Sequence, residues 1–470
     1  MTPLADLARS MFAAALTAVA PDALMRRIVY SPDGIEFGEQ RFAPRGSLHL
    51  VALGKAAPGL AAAFLHRSHR KPDSVRVLTP DGAPVPESVE AFTRRAAHPV
   101  ADERGVEATG ELLAALAACR PEDGVVVLLS GGSSALLGQP LPGVELATLA
   151  ELTAALLAEG IPIRDLNTVR KHLLAAAGGR LALACRAPIM TLVLSDVPGD
   201  DLTSVGSGPT SADPSTFAEA AEVLERSGKA RAFGPIAAFL ARGARGEIPE
   251  TPKPGDPVLT RCSCHLLGGS DDALRAAASV ARQAGFRACE LTRTLRGEAH
   301  SVGTALAALA GSLAPGEATA LLLAGETTVR VRGTGCGGRN LELALAAACG
   351  LADMPERCLL AAATDGVDGV SPAAGAVVDG ETVARGAALD RDAAAALEGN
   401  DSWAFFDGLP DAIVTGPTGT NVADVVFVLA AGAVPEFLPV ARSLSQRLPA
   451  YPADGLPRRG GRAWPHAGGR

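Results

Sequence analysis

Aromatic side chains are scarce, with two Trp, two Tyr and 13 Phe making up 4% of the chain. A core must therefore be filled by Ala, Val, Leu and Gly, a common style among α/β enzymes. No long run of one charge sign occurs, and the formal net charge is −8. That excludes a broad basic surface for nucleic acid, whose phosphates demand one. No cysteine pair has CxxC spacing; the closest of the eight are Cys262 and Cys264. A disulfide framework and a zinc site are thereby disfavoured, and scattered thiols fit a reducing, cytoplasmic compartment. No apolar run approaches the ~20 residues of a membrane span. The apolar stretch from Met11 to Ala20 follows Arg9 and resembles a leader. Asp6 and the helical spacing of Leu4, Leu7, Met11 and Leu16 instead predict a buried first helix.

What is present is a chain of 470 residues, nearly half of them hydrophobic, which is enough for two or three domains. Short apolar runs recur and lead into glycine turns. They lie at Leu48–Leu53, Val75–Leu78, Val125–Leu129, Leu192–Leu194, His265–Leu267, Leu321–Leu323, Leu359–Ala363 and Ala412–Val414. Continuous apolar strands alternating with helical pattern predict an α/β fold with a doubly wound parallel sheet. Ligands in such sheets bind at the carboxyl ends of the strands. Four prolines between 249 and 257 predict a linker over 246–258, separating a domain at 1–245 from one at 259–450. Residues 451–470, rich in Pro, Gly and Arg, read as a disordered tail.

The glycine turns carry the candidate chemistry. Leu53-Gly54-Lys55-Ala56-Ala57 ends the first long strand, where free helix N–H groups would attract an anion and Lys55 would add charge. It is not a Walker A loop, because His49 stands where the earlier glycine would be. In Ser130-Gly131-Gly132-Ser133-Ser134-Ala135, glycines and hydroxyls between strand and helix suit a phosphate cradle. The same stretch resembles a nucleophile elbow, but nothing marks His172, His265 or His300 as its base. Asp196 directly follows a strand, a position suited to magnesium or to taking a hydroxyl proton. Gly206-Ser207-Gly208-Pro209-Thr210 supplies another glycine turn nearby. Gly333-Thr334-Gly335-Cys336-Gly337-Gly338 satisfies GxGxxG. The preceding residues 327–332 alternate apolar and polar, which predicts a half-exposed antiparallel strand rather than the first strand of a dinucleotide fold. Arg339, entering a helix beside Asn340, suits a forked clamp on carboxylate or phosphate. Asp365 and Asp368 sit in a further strand-end loop, and residues 415–421 form a last turn dense in hydroxyls. Lys, Arg, several Asp and hydroxyl-rich loops at strand ends are the inventory for phosphoryl transfer.

In order along the chain, VALGKAA, LLSGGSSALL, LNTVRKHL, LVLSDVPGDDLTSVGSGPT, LAGETTVRVRGTGCGGRNLELAL, ATDGVDG, NDSWAFF and TGPTGTNVADV resemble the class II glycerate 2-kinases, the family with a MOFRL domain. The resemblance implies a larger Rossmann-like amino-terminal domain and a smaller α/β MOFRL domain with the active site between them. It implies transfer of the γ-phosphoryl of ATP, with Mg2+, to the 2-hydroxyl of D-glycerate. Lys55 and Arg339 map to the family's motif lysine and arginine, and Asp196 and Asp365 to its motif aspartates. One of these aspartates would hold magnesium or accept the proton. Arg339 with Asn340 and His98 would bind glycerate. The nucleotide would lie along Ser130, Gly131, Gly132, Ser133 and Ser134 and along Ser207, Gly208 and Thr210. Where the family has serine and lysine after Arg170-Lys171-His172, this chain has Leu174 and Ala177, so Arg170 or Lys171 would have to supply the lost charge. The partners implied are small molecules, with no nucleic acid or membrane; a homo-oligomer is compatible. Two rival readings are an NAD(P)H-dependent hydroxypyruvate reductase and a non-catalytic sugar-acid-binding protein.

Overall fold

A computed structural model describes residues 2–314, 316–354 and 356–431; the expected tail at 451–470 lies outside them. The chain opens with helix α1 (Pro3–Ala18), capped by the Thr2 hydroxyl, with Pro3 in its first turn. Leu4, Leu7, Met11 and Phe12 form its buried stripe, as the spacing requires. Each such side chain contributes about 1.5–3 kcal/mol on burial.

The first large sheet contains β1 (Leu48–Leu53), β2 (Ser74–Pro80), β3 (Thr93–Ala96), β4 (Gly124–Ser130), β5 (Ile189–Leu194) and β6 (Cys262–Gly268). All pairs are parallel, and the order is β3-β2-β1-β4-β5-β6. This is the doubly wound order, in which the chain reverses direction between β1 and β4 and leaves a crevice at their carboxyl ends. Helix α2 (Ala57–Arg67) follows β1. Both faces of the sheet are covered: Leu50 and Ala52 of β1 enter one core, and Val51 and Leu53 enter another. A helical lobe built from Leu146–Ala158, α3 (Ile163–Lys171), Phe217–Arg226 and Gly234–Ala244 has its own apolar cluster.

After α4 (Ser270–Gln283) comes the second sheet. It comprises β7 (Arg287–Leu295), β8 (Thr319–Gly325), then, after helix α5 (Arg339–Leu351), β9 (Arg357–Ala363), β10 (Gly375–Asp379), β11 (Ala412–Ile413) and β12 (Asp424–Ala430). Its order is β7-β8-β12-β9-β10-β11. Only β7 and β8 are parallel; the other pairs are antiparallel. The parallel pairing expected from apolar continuity thus holds throughout the first sheet, but in the second only for β7 and β8.

Two further expectations are corrected. Residues 327–332 form no strand beyond an isolated bridge at Thr328. The Asn400 side chain satisfies their backbone instead, accepting from the N–H of Arg332 and Gly333 and donating to the Arg330 carbonyl. Nor does the division at 246–258 follow the sheets. β6, beyond it, completes the first sheet, and Thr251, within it, is buried and bonded to Asp213 at 3.0 Å. Residues of α1, α2, α4 and both sheets share one continuous core.

Candidate active site

The reversal point between β1 and β4 is where the charged side chains gather. Gly54 leaves β1 with φ +110°, a left-handed value, and a Cβ there would stand 2.4 Å from the Ser130 carbonyl oxygen. The chain can therefore turn sharply against the end of β4. Lys55 N–H donates to the Gly131 carbonyl at 2.9 Å, and its Nζ donates to Asp365 Oδ2 at 2.7 Å. Burial lowers the Lys55 pKa, but the carboxylates of Asp365 and Asp196 outweigh it and the net shift is upward. Lys55 is thus a fixed cation.

Asp196 follows β5 and packs against Gly131, where a Cβ would fall 1.6 Å from Asp196 Oδ2; no other residue fits. Asn421 Nδ2 donates to that oxygen at 3.0 Å. Burial pushes the Asp196 carboxyl above its ordinary value, opposed by the nearby Lys55 charge. On the other side of Lys55, Asp365 also accepts from Val367 N–H at 3.1 Å.

Arg339 begins α5 and reaches carboxylates at strand ends of the second sheet. Its guanidinium donates through Nε and Nη2 to both oxygens of Asp424, and through Nη2 to Glu326 Oε1 at 3.1 Å. Burial lowers its pKa, and the Asp424 carboxylate more than reverses that. Burial raises the Glu326 carboxyl, against the pull of Arg339. Asp196 feels both Lys55 and Arg339, so the two expected cations share one electrostatic neighbourhood although they come from different sheets.

The loops expected to hold a nucleotide meet here, but several of their hydroxyls are already spent. Ser130 Oγ bridges Ala56 N–H and the Leu53 carbonyl, each at 3.1 Å. Ser133 Oγ donates to the Ser130 carbonyl at 2.5 Å, and Thr210 is bonded to Thr191 at 2.8 Å. Ser134 and Ser207 share a 2.8 Å hydroxyl bond, and Ser207 donates to Asn167 Oδ1 at 3.1 Å. Gly206, Ser207 and Gly208 all have φ +59°; for Ser207 that conformation costs energy and marks a constrained loop. His98 stands near Gly132 and Lys55; a Cβ on Gly132 would lie 3.3 Å from His98 Cδ2 and from Lys55 Cγ. Partial burial and the Lys55 and Arg170 charges push its pKa down, so the ring is neutral at pH 7.

Asn340, expected at the substrate, is buried with its amide on Asp368 at 3.3 Å. Asp368 also accepts from the N–H groups of Asn340 and Leu341 and so fixes the start of α5. Lys171 is likewise committed, donating to buried Asp213 at 3.3 Å. The GxGxxG stretch packs its glycines against residues 399–402 and 368, which leaves no strand leading into it. Sequence reasoning passed over Glu326, Asp424 and Asn421. The first two lie at the edges of apolar strands, a position that could have flagged them. Among the described residues, no group of three or more His, Cys, Asp or Glu is arranged to hold a metal ion, and no helix is long and apolar enough to cross a membrane.

Residues 7–240 match a domain of unknown function, DUF4147, and residues 319–424 match the MOFRL family. The chain is 38% identical to a D-glycerate 2-kinase of Thermotoga maritima, over 81% of this chain and 90% of that one. It is 39% identical to a putative hydroxypyruvate reductase of Agrobacterium vitis, over 82% and 88% respectively. The crystal structure of a Thermotoga maritima glycerate kinase superposes with a TM-score of 0.76 at 35% identity, covering 91% of this chain and 99% of that one.

Proposed function

The chain belongs to the family of glycerate kinases that combine a DUF4147 region with a MOFRL domain, and on that basis we propose that it transfers the γ-phosphoryl of ATP to the 2-hydroxyl of D-glycerate, giving 2-phosphoglycerate and ADP. The observation that carries this reading is the convergence of Lys55, from the turn after β1, and Arg339, from the start of α5, on the carboxylates around the β1–β4 crevice. Phosphoryl transfer is mostly positioning and charge neutralisation, and two immobilised cations supply both. The triphosphate lies along the Gly131–Ser134 turn, between strand and helix. Lys55 and Arg339 hold the transferring group between them. Asp196, with a raised pKa, accepts the proton of the 2-hydroxyl. Magnesium carried by a triphosphate takes most of its ligands from phosphate and water, so one or two of Asp196 and Asp365 suffice; the ion would neutralise phosphate charge.

All eight cysteines are free, which supports a reducing, cytoplasmic setting. ADP release with ATP, Mg2+ and D-glycerate, with the product coupled to enolase to verify the 2-position, tests the proposal. Absence of ADP would refute it. The relative named a putative hydroxypyruvate reductase motivates one counter-test. NADH oxidation by hydroxypyruvate, followed at 340 nm, should stay at background.

A further inference from the structure

Among the described residues, every cation at the crevice except one is already neutralised. Lys55 is held by Asp365 and Arg339 by Asp424 and Glu326, while Lys171 is held by Asp213. Arg170, in the last turn of α3, has no side-chain hydrogen bond or ion pair among the described residues, yet it is partly buried. Burial alone acts on it, drawing its pKa down to about 10. A guanidinium withdrawn from water without a carboxylate is unfavourable until an anion arrives.

Its surroundings define the anion. Leu166 and Val169 turn toward the core of the helical lobe, and Asn167 and Arg170, three residues apart, lie together on the adjoining side of the helix. Asn167 receives the Ser207 hydroxyl, itself bonded to Ser134. Arg170 and Ser134 line one hollow with Ala101, Leu149, Thr153 and Leu174. The hollow holds about 20 Å³, room for roughly one water-sized group such as a carboxylate oxygen and far too little for a triphosphate. Much of its wall is apolar, and the planar guanidinium fork matches a carboxylate. Leu174, one of the two departures from the family pattern, forms part of that wall.

We propose that Arg170 is the receptor for the substrate's carboxylate, and that Arg339 is not. This rests on the glycerate kinase reading. It divides the charges: Arg170 selects a small hydroxy acid, while Lys55 and Arg339 attend to the phosphoryl group.

The test is steady-state kinetics of Arg170→Gln and Arg170→Lys, with thermal melts as a check on folding. Arg170→Gln should raise KM for D-glycerate roughly 10- to 100-fold, the worth of a charged hydrogen-bond pair, with KM for ATP within about threefold of wild type. Arg170→Lys should recover part of the loss. Wild type should discriminate D-glycerate from its uncharged methyl ester, and Arg170→Gln should not; a merely structural role would leave that ratio intact. An unchanged KM for glycerate, or a rise in KM for ATP instead, overturns the inference. If wild type forms no ADP, the kinase reading has failed. Calorimetric binding of D-glycerate to wild type and Arg170→Gln then still decides the carboxylate site. Should Arg170→Gln not fold, Arg170→Lys with the ester comparison decides it.

Discussion

Replacing Gly131 by alanine adds one methyl group to a residue with no chemistry of its own. That carbon would fall 1.6 Å from Asp196 Oδ2 and 2.3 Å from its Cγ, where 3.4 Å is the ordinary lower limit of contact. Relief requires the carboxylate to retreat by roughly 2 Å, or the Gly131 backbone to move instead. The first route breaks the 3.0 Å bond from Asn421. The second breaks the 2.9 Å bond by which the Gly131 carbonyl holds the Lys55 backbone. Either way a group that must meet the hydroxyl or the phosphoryl is displaced by more than 1 Å, which costs about 10²-fold in rate. Overpacking costs about 1–3 kcal/mol of stability, little enough that the fold survives. The assay is kcat from ADP release at saturating ATP and D-glycerate, beside a thermal melt. Gly110→Ala is the control: its new methyl meets nothing nearer than 3.8 Å and sits inside the helix Glu103–Ala117. It should leave kcat unchanged and stabilise by up to about 1 kcal/mol. A Gly131→Ala enzyme with wild-type kcat would show that Asp196 and Lys55 do not need their observed positions.

Lys55→Met and Arg339→Gln should each lower kcat by about 10²–10³-fold, the worth of one preorganised charge contact, while the melt stays cooperative; wild-type rates in a folded variant refute the role. The Asp123 carboxyl is held at about 2 by the Arg120 N–H above all, with the Arg120 guanidinium and the Ser47 N–H adding to it. A depressed folded-state pKa means that this stability is present above the ordinary 3.8 and is lost as pH falls toward 2. Asp123→Asn should therefore lower the melting temperature at pH 7 and flatten its decline through that window; an unaltered acid limb would contradict the assignment. Thr216 and Glu219 form a reciprocal capping box on Phe217–Arg226. Thr216→Ala should cost about 1 kcal/mol by urea unfolding, and no change would disprove the cap.

The first sheet was legible because both its faces are covered, so successive residues such as Val51 and Ala52 must all be apolar. The same burial acts on Leu321, Leu322 and Leu323 in the second sheet, where the partner β12 runs antiparallel. Apolar continuity reports cover on two faces and carries no information on direction. Alternation at 327–332 was equally ambiguous. A single side chain, Asn400, can satisfy the backbone that a neighbouring strand would have satisfied. Pro249, Pro252 and Pro254 do lie in irregular backbone, but irregular backbone can still be packed, and the bond from Thr251 to Asp213 ties it down.

At the site, Lys55, Asp196 and Arg339 stood out because each occupies a strand end or a glycine turn. Their partners did not, because pairing is a property of the fold. Lys55 and Asp365 are 310 positions apart, and Arg339 and Asp424 are 85. A sequence also counts hydroxyls without showing which are free. Ser130, Ser133, Ser134 and Thr210 look like phosphate ligands until their internal bonds are traced. The neighbours Arg170 and Lys171 make the point most sharply. As letters they are two equivalent cations, but one step of about 100° around α3 turns Lys171 onto buried Asp213 and leaves Arg170 facing a hollow with no acid in reach. Charge matters for function where the fold leaves it uncompensated, and that difference appears only once every carboxylate has been assigned to a partner.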